Sequence, residues 1–97
     1  MSNINYRREH QMSFERACEL AHGWAQKGEQ ELGLKCKTLP ASDNKQQINF
    51  ERSGVSGVLT VTDTYFEINA KLGFLFSAFE GKITEKLEQS MDKILKG

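Results

Sequence analysis

Residues 65–72, Tyr65-Phe66-Glu67-Ile68-Asn69-Ala70-Lys71-Leu72, decide the fold. Phe66, Ile68, Ala70 and Leu72 alternate with Tyr65, Glu67, Asn69 and Lys71, and successive side chains on a strand point to opposite faces. Such a strand has one buried face and one wet face, as antiparallel sheets do. The segments before it read the same way. Val55, Gly57, Leu59 and Val61 share a face, and Ile48 and Phe50 face one side of Gln47 to Arg52. Ser53-Gly54 is short enough for a tight hairpin, with glycine supplying positive φ, and Asp63-Thr64 is a second, weaker turn. A strand meander follows.

Working outward, Leu34 to Leu39 reads as a strand with Leu34 and Cys36 facing one way and Lys35 and Lys37 the other. Pro40-Ala41-Ser42-Asp43-Asn44, which holds the only proline, connects it to the meander. Ile4 to Met12 alternates loosely and reads as the first strand, with Ile4 and Tyr6 on one face.

Two segments switch to helical spacing. Phe14, Ala17, Ala21, Trp24, Ala25, Gly28 and Leu32 recur at intervals of three and four, which predicts an amphipathic helix over Phe14 to Leu32. Ser13 supplies an N-cap oxygen, Glu15 a negative charge in the first turn, and Gly33 the left-handed residue that ends such a helix. Phe79, Ile83, Leu87, Met91, Ile94 and Leu95 form the stripe of a C-terminal helix. Two stripes and one half-apolar sheet face are complementary. The expected fold is α+β, an antiparallel sheet of about five strands with two helices on one face, in the order β-α-β-β-β-β-α. One domain over residues 1–97 is expected.

Composition narrows the function classes. The 97 residues are 38% hydrophobic and 27% charged, as in an ordinary globular protein. Thirteen basic residues balance thirteen acidic ones, so the electrostatic footprint of a nucleic-acid binder is missing. Lys35 and Lys37 form a small positive spot, with Glu9 and Glu51 as expected neighbours. No apolar run approaches the ~20 residues of a spanning helix. The N-terminus lacks the apolar stretch of a secretory signal, so a cytoplasmic location is expected. Cys18 and Cys36 read as small buried apolar groups, with a bridge open to them only if helix and strand bring them together.

Chemical constellations are sparse. His10 and His22 lack metal-ligand spacing, and no metal or cofactor motif is present. Gly54-Val55-Ser56-Gly57 superficially resembles a hydrolase elbow, but its spacing differs from G-x-S-x-G and it enters a strand. Glu51, Glu67 and Asp63 fall on wet faces or turns, where ordinary titration is expected. Non-enzymatic function is therefore expected.

Three glycines read as turn or packing positions: Gly54, Gly57 and Gly73. Gly57 lies in the core-facing register, and close approach of a helix is the leading explanation, ahead of a bulge or a ligand pocket. The most unusual stretch is Leu72-Gly73-Phe74-Leu75-Phe76-Ser77-Ala78-Phe79. It reads first as a core corner that plugs one end of the sheet. The alternative is an apolar contact surface of Phe74, Leu75, Phe76 and Phe79.

Phe50-Glu51-Arg52-Ser53-Gly54-Val55-Ser56-Gly57, a strand, Leu72-Gly73-Phe74-Leu75 and a terminal amphipathic helix together resemble the polyhydroxyalkanoic acid system proteins. Arg7-Arg8-Glu9-His10 before a helix fits as well, so the resemblance spans nearly the whole chain. These small bacterial proteins are often linked to gene clusters for polyhydroxyalkanoate, the storage polyester of bacterial granules. The resemblance implies an accessory role in that metabolism, with the granule surface or a granule-associated protein as partner, and carries over no catalytic residue. The runner-up is a small domain that binds an apolar metabolite between terminal helix and curved sheet, similar to helix-grip folds, an analogy of fold alone. Edge strands and spare apolar surface also leave a homo-oligomer open.

Overall fold

The structure, a computed structural model, describes residues 2–96 and their side chains except those of Ser2, Leu75, Ile94 and Lys96. The expectations for the Leu75 and Ile94 side chains therefore lie outside the described residues. In chain order the elements are β1 (Ser2–Glu9), α1 (Phe14–Leu32), β2 (Lys35–Thr38), β3 (Lys45–Arg52), β4 (Val55–Thr62), β5 (Tyr65–Leu72), α2 (Phe74–Ser77) and α3 (Glu80–Lys96). The expected order and class hold, with the short α2 added before the terminal helix.

The five strands lie in the order β1-β5-β4-β3-β2, with every pairing antiparallel. β2 to β5 form the meander, and β1 closes against β5. The chain must then travel from one sheet edge to the other between β1 and β2. α1 makes that journey: its 19 residues give ~28 Å at ~1.5 Å each. Strands ~4.8 Å apart put the two edges about 19 Å from each other. The helix is long enough to span the crossing.

Local chemistry sets the ends of α1. Ser13 Oγ accepts from the Arg16 N–H at 3.2 Å, and Gly33 takes φ 68° beyond the last turn. Asp43 and Asn44, both at positive φ, close the β2–β3 connection through reciprocal Ser42–Lys45 backbone bonds of 2.9 Å. That turn is tighter than expected, so β3 starts at Lys45. β1 ends at Glu9, short of Met12, because His10 turns inward and is held by three bonds to backbone groups.

The core lies between one sheet face and the helices. On that face Leu59 pairs with both Ile48 and Ile68, and Val61 with Phe66. All five are buried, each such side chain contributing ~1.5–3 kcal/mol on burial. α1 meets this face through the buried Ala17, Ala21 and Ala25, small enough to let the helix lie close. α3 packs against β1 and α1 with Met91 buried and Ile83, Leu87 and Leu95 partly buried. Arg8 of β1 bonds Asp92 of α3 and ties the terminal helix to the sheet edge. Phe66, Ile68 and Met91 are fully buried in one core cluster, with Leu87 partly buried against it.

Neither helix covers the opposite face. On that face the central strand β4 carries Thr60 and Thr62, both buried. Gln47 Nε2 donates to Thr60 Oγ1 at 3.3 Å, and Thr62 Oγ1 accepts from the Thr64 and Tyr65 N–H groups.

Candidate functional site

Two surfaces stand out from this frame. The first is the sheet end where the β3–β4 hairpin meets the β5–α2 junction. Gly54 sits in the hairpin at φ 87°, a conformation that L side chains rarely adopt. Its carbonyl accepts from the Gly73 N–H at 2.7 Å. The Gly73 carbonyl in turn accepts from the N–H groups of Phe76 and Ser77 and from Ser77 Oγ, which starts α2. The Phe76 ring lies over Gly54, where a Cβ would come within 2.8 Å of it. Arg52 Nη1 donates to the Leu32 carbonyl at 2.7 Å, and its guanidinium stands 6.0 Å from the Phe76 ring centroid. The hairpin, the β5–α2 junction and the end of α1 are thus locked together.

This arrangement separates the aromatic side chains that the sequence groups together. Phe76 packs against the core, whereas Phe74 and Phe79 are 86% and 53% exposed. Phe76 takes the core corner, while Phe74 and Phe79 are left facing solvent. Leu32, 55% exposed, joins them at this end through the Arg52 bond to its carbonyl. Single exposed apolar residues are ordinary; these three belong to segments that the Arg52 and Gly54–Gly73 bonds bring to one end of the sheet.

Gly57 has a different reason from the one expected. A Cβ there would lie 2.5 Å from Phe50 Cζ and 2.8 Å from the Asn69 carbonyl. The cross-strand partner's ring, rather than a helix, occupies the space, and Trp24 of α1 meets that ring edge-on at 5.4 Å.

The second surface is a trough of about 720 Å³ on the uncovered sheet face. Strand register builds it. One row across the sheet reads Asn5, Asn69, Val58, Asn49, Lys37, and the next reads Asn3, Lys71, Ser56, Glu51, Lys35. Asn69, Val58 and Asn49 in the first row and Ser56 in the second keep the floor low. Beyond them, Arg7 bonds Glu67 at 2.7 Å and stacks over Tyr65 at 4.1 Å, which raises the wall. That Arg7 bond holds the Glu67 carboxyl below its usual range, so Glu67 departs from the ordinary titration expected. Lys35 lies opposite Glu51 as expected, but Glu9 pairs with Tyr65 at the far side of the sheet. Only register on distant strands reveals this trough; no local motif signals it.

The remaining candidate groups are the two histidines and the two cysteines. His10 is 8% exposed: Met12 N–H donates to Nδ1 at 3.1 Å, so the proton sits on Nε2 and points to the Thr62 carbonyl at 2.9 Å. His22 is exposed on α1. Cys36 Sγ donates to the Ala25 carbonyl at 3.7 Å. Cys18, seven residues back along α1, is then ~10 Å up the helix, beyond the reach of a disulfide; both thiols are free. Burial pushes both thiols up, with Glu15 and Glu29 adding smaller effects. Among the described residues no group of three or more His, Cys, Asp or Glu could hold a metal ion. No helix among them is long and apolar enough to cross a membrane. A second cavity opens beside His10 and Leu95, where β1 leads into α1.

Comparison with known proteins gives one match. The family model described as Putative polyhydroxyalkanoic acid system protein matches residues 4–95. No curated protein and no solved structure matches. The matched span includes both segments that meet at the sheet end.

Proposed function

The chain belongs to the polyhydroxyalkanoic acid system protein family, and from that premise we propose that it is a non-enzymatic accessory protein of polyhydroxyalkanoate metabolism. It touches the surface of the storage granule, or a protein on that surface, through the end that carries Leu32, Phe74 and Phe79. One observation supports this reading above the rest. Phe74 stands outside the core on a corner fixed by the Gly54–Gly73 bond, so its exposure belongs to the fold and not to a loose tail. A granule of aliphatic polyester offers an apolar surface, and burying an exposed Phe is worth ~1.5–3 kcal/mol.

Support for a non-catalytic role comes from the candidate nucleophiles. The two thiols are biased toward their protonated form, whereas reactive cysteines are found with lowered values. The buried histidine spends both ring nitrogens on backbone groups and has none left for a substrate.

The test is a fluorescent fusion in a polymer-accumulating bacterium. The parent protein concentrates at granules, and Phe74→Ser with Phe79→Ser spreads it through the cell at unchanged abundance. Diffuse signal from the parent while granules are full contradicts the proposal.

A further inference from the structure

We propose that the trough on the uncovered sheet face binds short hydroxyacid oligoesters that carry a free carboxylate. The choice of ligand class rests on the function proposed above, while the trough is a feature of the fold alone.

An ester chain accepts hydrogen bonds and donates none, so a surface that recognises it must be rich in donors. The central row supplies them. Asn5, Asn69 and Asn49 present carboxamide N–H groups from three strands, with rows of neighbouring strands ~4.8 Å apart. Asn69 Nδ2 donates one hydrogen to Glu67 at 3.2 Å and keeps the other. Ser56, in the adjacent row, adds a hydroxyl. Val58 interrupts the amides in the middle of the row and offers an apolar floor for the alkyl branch of a hydroxyacid unit.

Charge selects the end of the chain. Lys35, Lys37 and Lys71 line the trough with one carboxylate, Glu51, so three positive charges less one negative leave +2 in a protein whose total is zero. None of the three lysines makes an ion pair among the described residues. Lys35 and Lys37 lie together on the β2 edge, with Lys71 three strands away on β5. A terminal carboxylate is drawn to the β2 edge, and the uncharged ester units then lie along the amide row toward β5. The volume of about 720 Å³ falls within the ~300–1,000 Å³ of small-molecule sites.

The experiment is an NMR titration of the full chain with linear 3-hydroxybutyrate oligomers bearing a free carboxylate. Saturable shifts of the Asn5, Asn49 and Asn69 side-chain amides are expected. Lys37→Gln with Lys71→Gln, both on the exposed face, should weaken binding about ten-fold, equivalent to ~1.4 kcal/mol. Asn49→Asp should weaken it as well, with the fold intact by circular dichroism. The same oligomers capped as methyl esters should bind less tightly than the free acids.

Absence of trough shifts at millimolar oligomer overturns the proposal. So does equal occupancy by inorganic phosphate, which would make the trough a general anion site. Shifts confined to residues around Phe74 and Phe79 overturn the trough and leave the granule-contact reading standing. Conversely, trough binding that survives Phe74→Ser separates this site from the apolar end.

Discussion

The ring of Phe50 closes over the backbone of Gly57, its cross-strand partner, leaving no room for a Cβ. Trp24 meets that ring edge-on, so helix α1, Phe50 and the Gly57 backbone are packed in series. Aromatic cover of a strand glycine is a known way to pin register. It also explains why a residue with no side chain sits in a core-facing position.

Gly57→Ala should therefore destabilise the protein by roughly 1–3 kcal/mol, the usual range for overpacking. Urea unfolding reads it. Because the nearest atom belongs to the Phe50 ring, Phe50→Leu in the same chain should recover part of the loss, a coupling visible in a double-mutant cycle. Strict additivity would place the strain elsewhere, against the Asn69 carbonyl.

At the sheet end, Gly54→Ala forces an L side chain to φ 87° and into the Phe76 ring. A loss of about 1–3 kcal/mol is expected from the backbone conformation alone. Phe76→Ser should also lower the melting temperature. Phe74→Ser, two residues away, should change stability by no more than ~0.5 kcal/mol. Thermal unfolding of the three variants checks the assignment of Phe76 to the core and Phe74 to solvent.

His10→Ala strands the Met12 N–H and the Thr62 carbonyl and removes the Phe66 contact at 4.9 Å. Each buried group left unpaired costs ~1–3 kcal/mol. Hydrogen exchange should show the Met12 amide, slow in the parent, becoming fast in the variant while amides of β3 and β4 stay protected.

The Arg7–Glu67 pair gives a pH dependence. Glu67 is held below the usual carboxylate value first by the Arg7 hydrogen bond, then by Asn69. A lowered folded-state value means that its stabilisation is present above the unfolded value of ~4.3 and is lost as pH falls through the folded value. Because the pair is exposed, the stabilisation at stake is small. In Arg7→Gln the Glu67 midpoint, followed by NMR, should rise toward the ordinary value, and the stability gap from the parent should shrink in acid.

Much of this fold could be read from local pattern. The limits of α1 follow from Ser13, Gly33 and a clean stripe between them, and β5 from strict alternation. The failures have a common origin. Phe74, Phe76 and Phe79 look equivalent in sequence because a four-residue helical turn carries no periodicity of its own; the Gly54–Gly73 bond decides which ring turns inward. Gly57 was explicable only once Phe50 was known to lie opposite. The trough likewise depends on Asn5, Asn69 and Asn49 sharing a row, which is a matter of register between strands up to 64 residues apart.

Both proposed surfaces require helices on one side of the sheet only, with Phe74 projecting from its end. Relaxation enhancement by a soluble paramagnetic gadolinium chelate tests that arrangement in one spectrum. Strong enhancement is predicted for the side chains of Asn49, Asn69, Lys71 and Phe74, with little for Leu59, Ile68, Phe66 and Met91. Protection of Asn49 and Asn69 to the level of Ile68 would mean that the polar side is also covered, and would contradict the account.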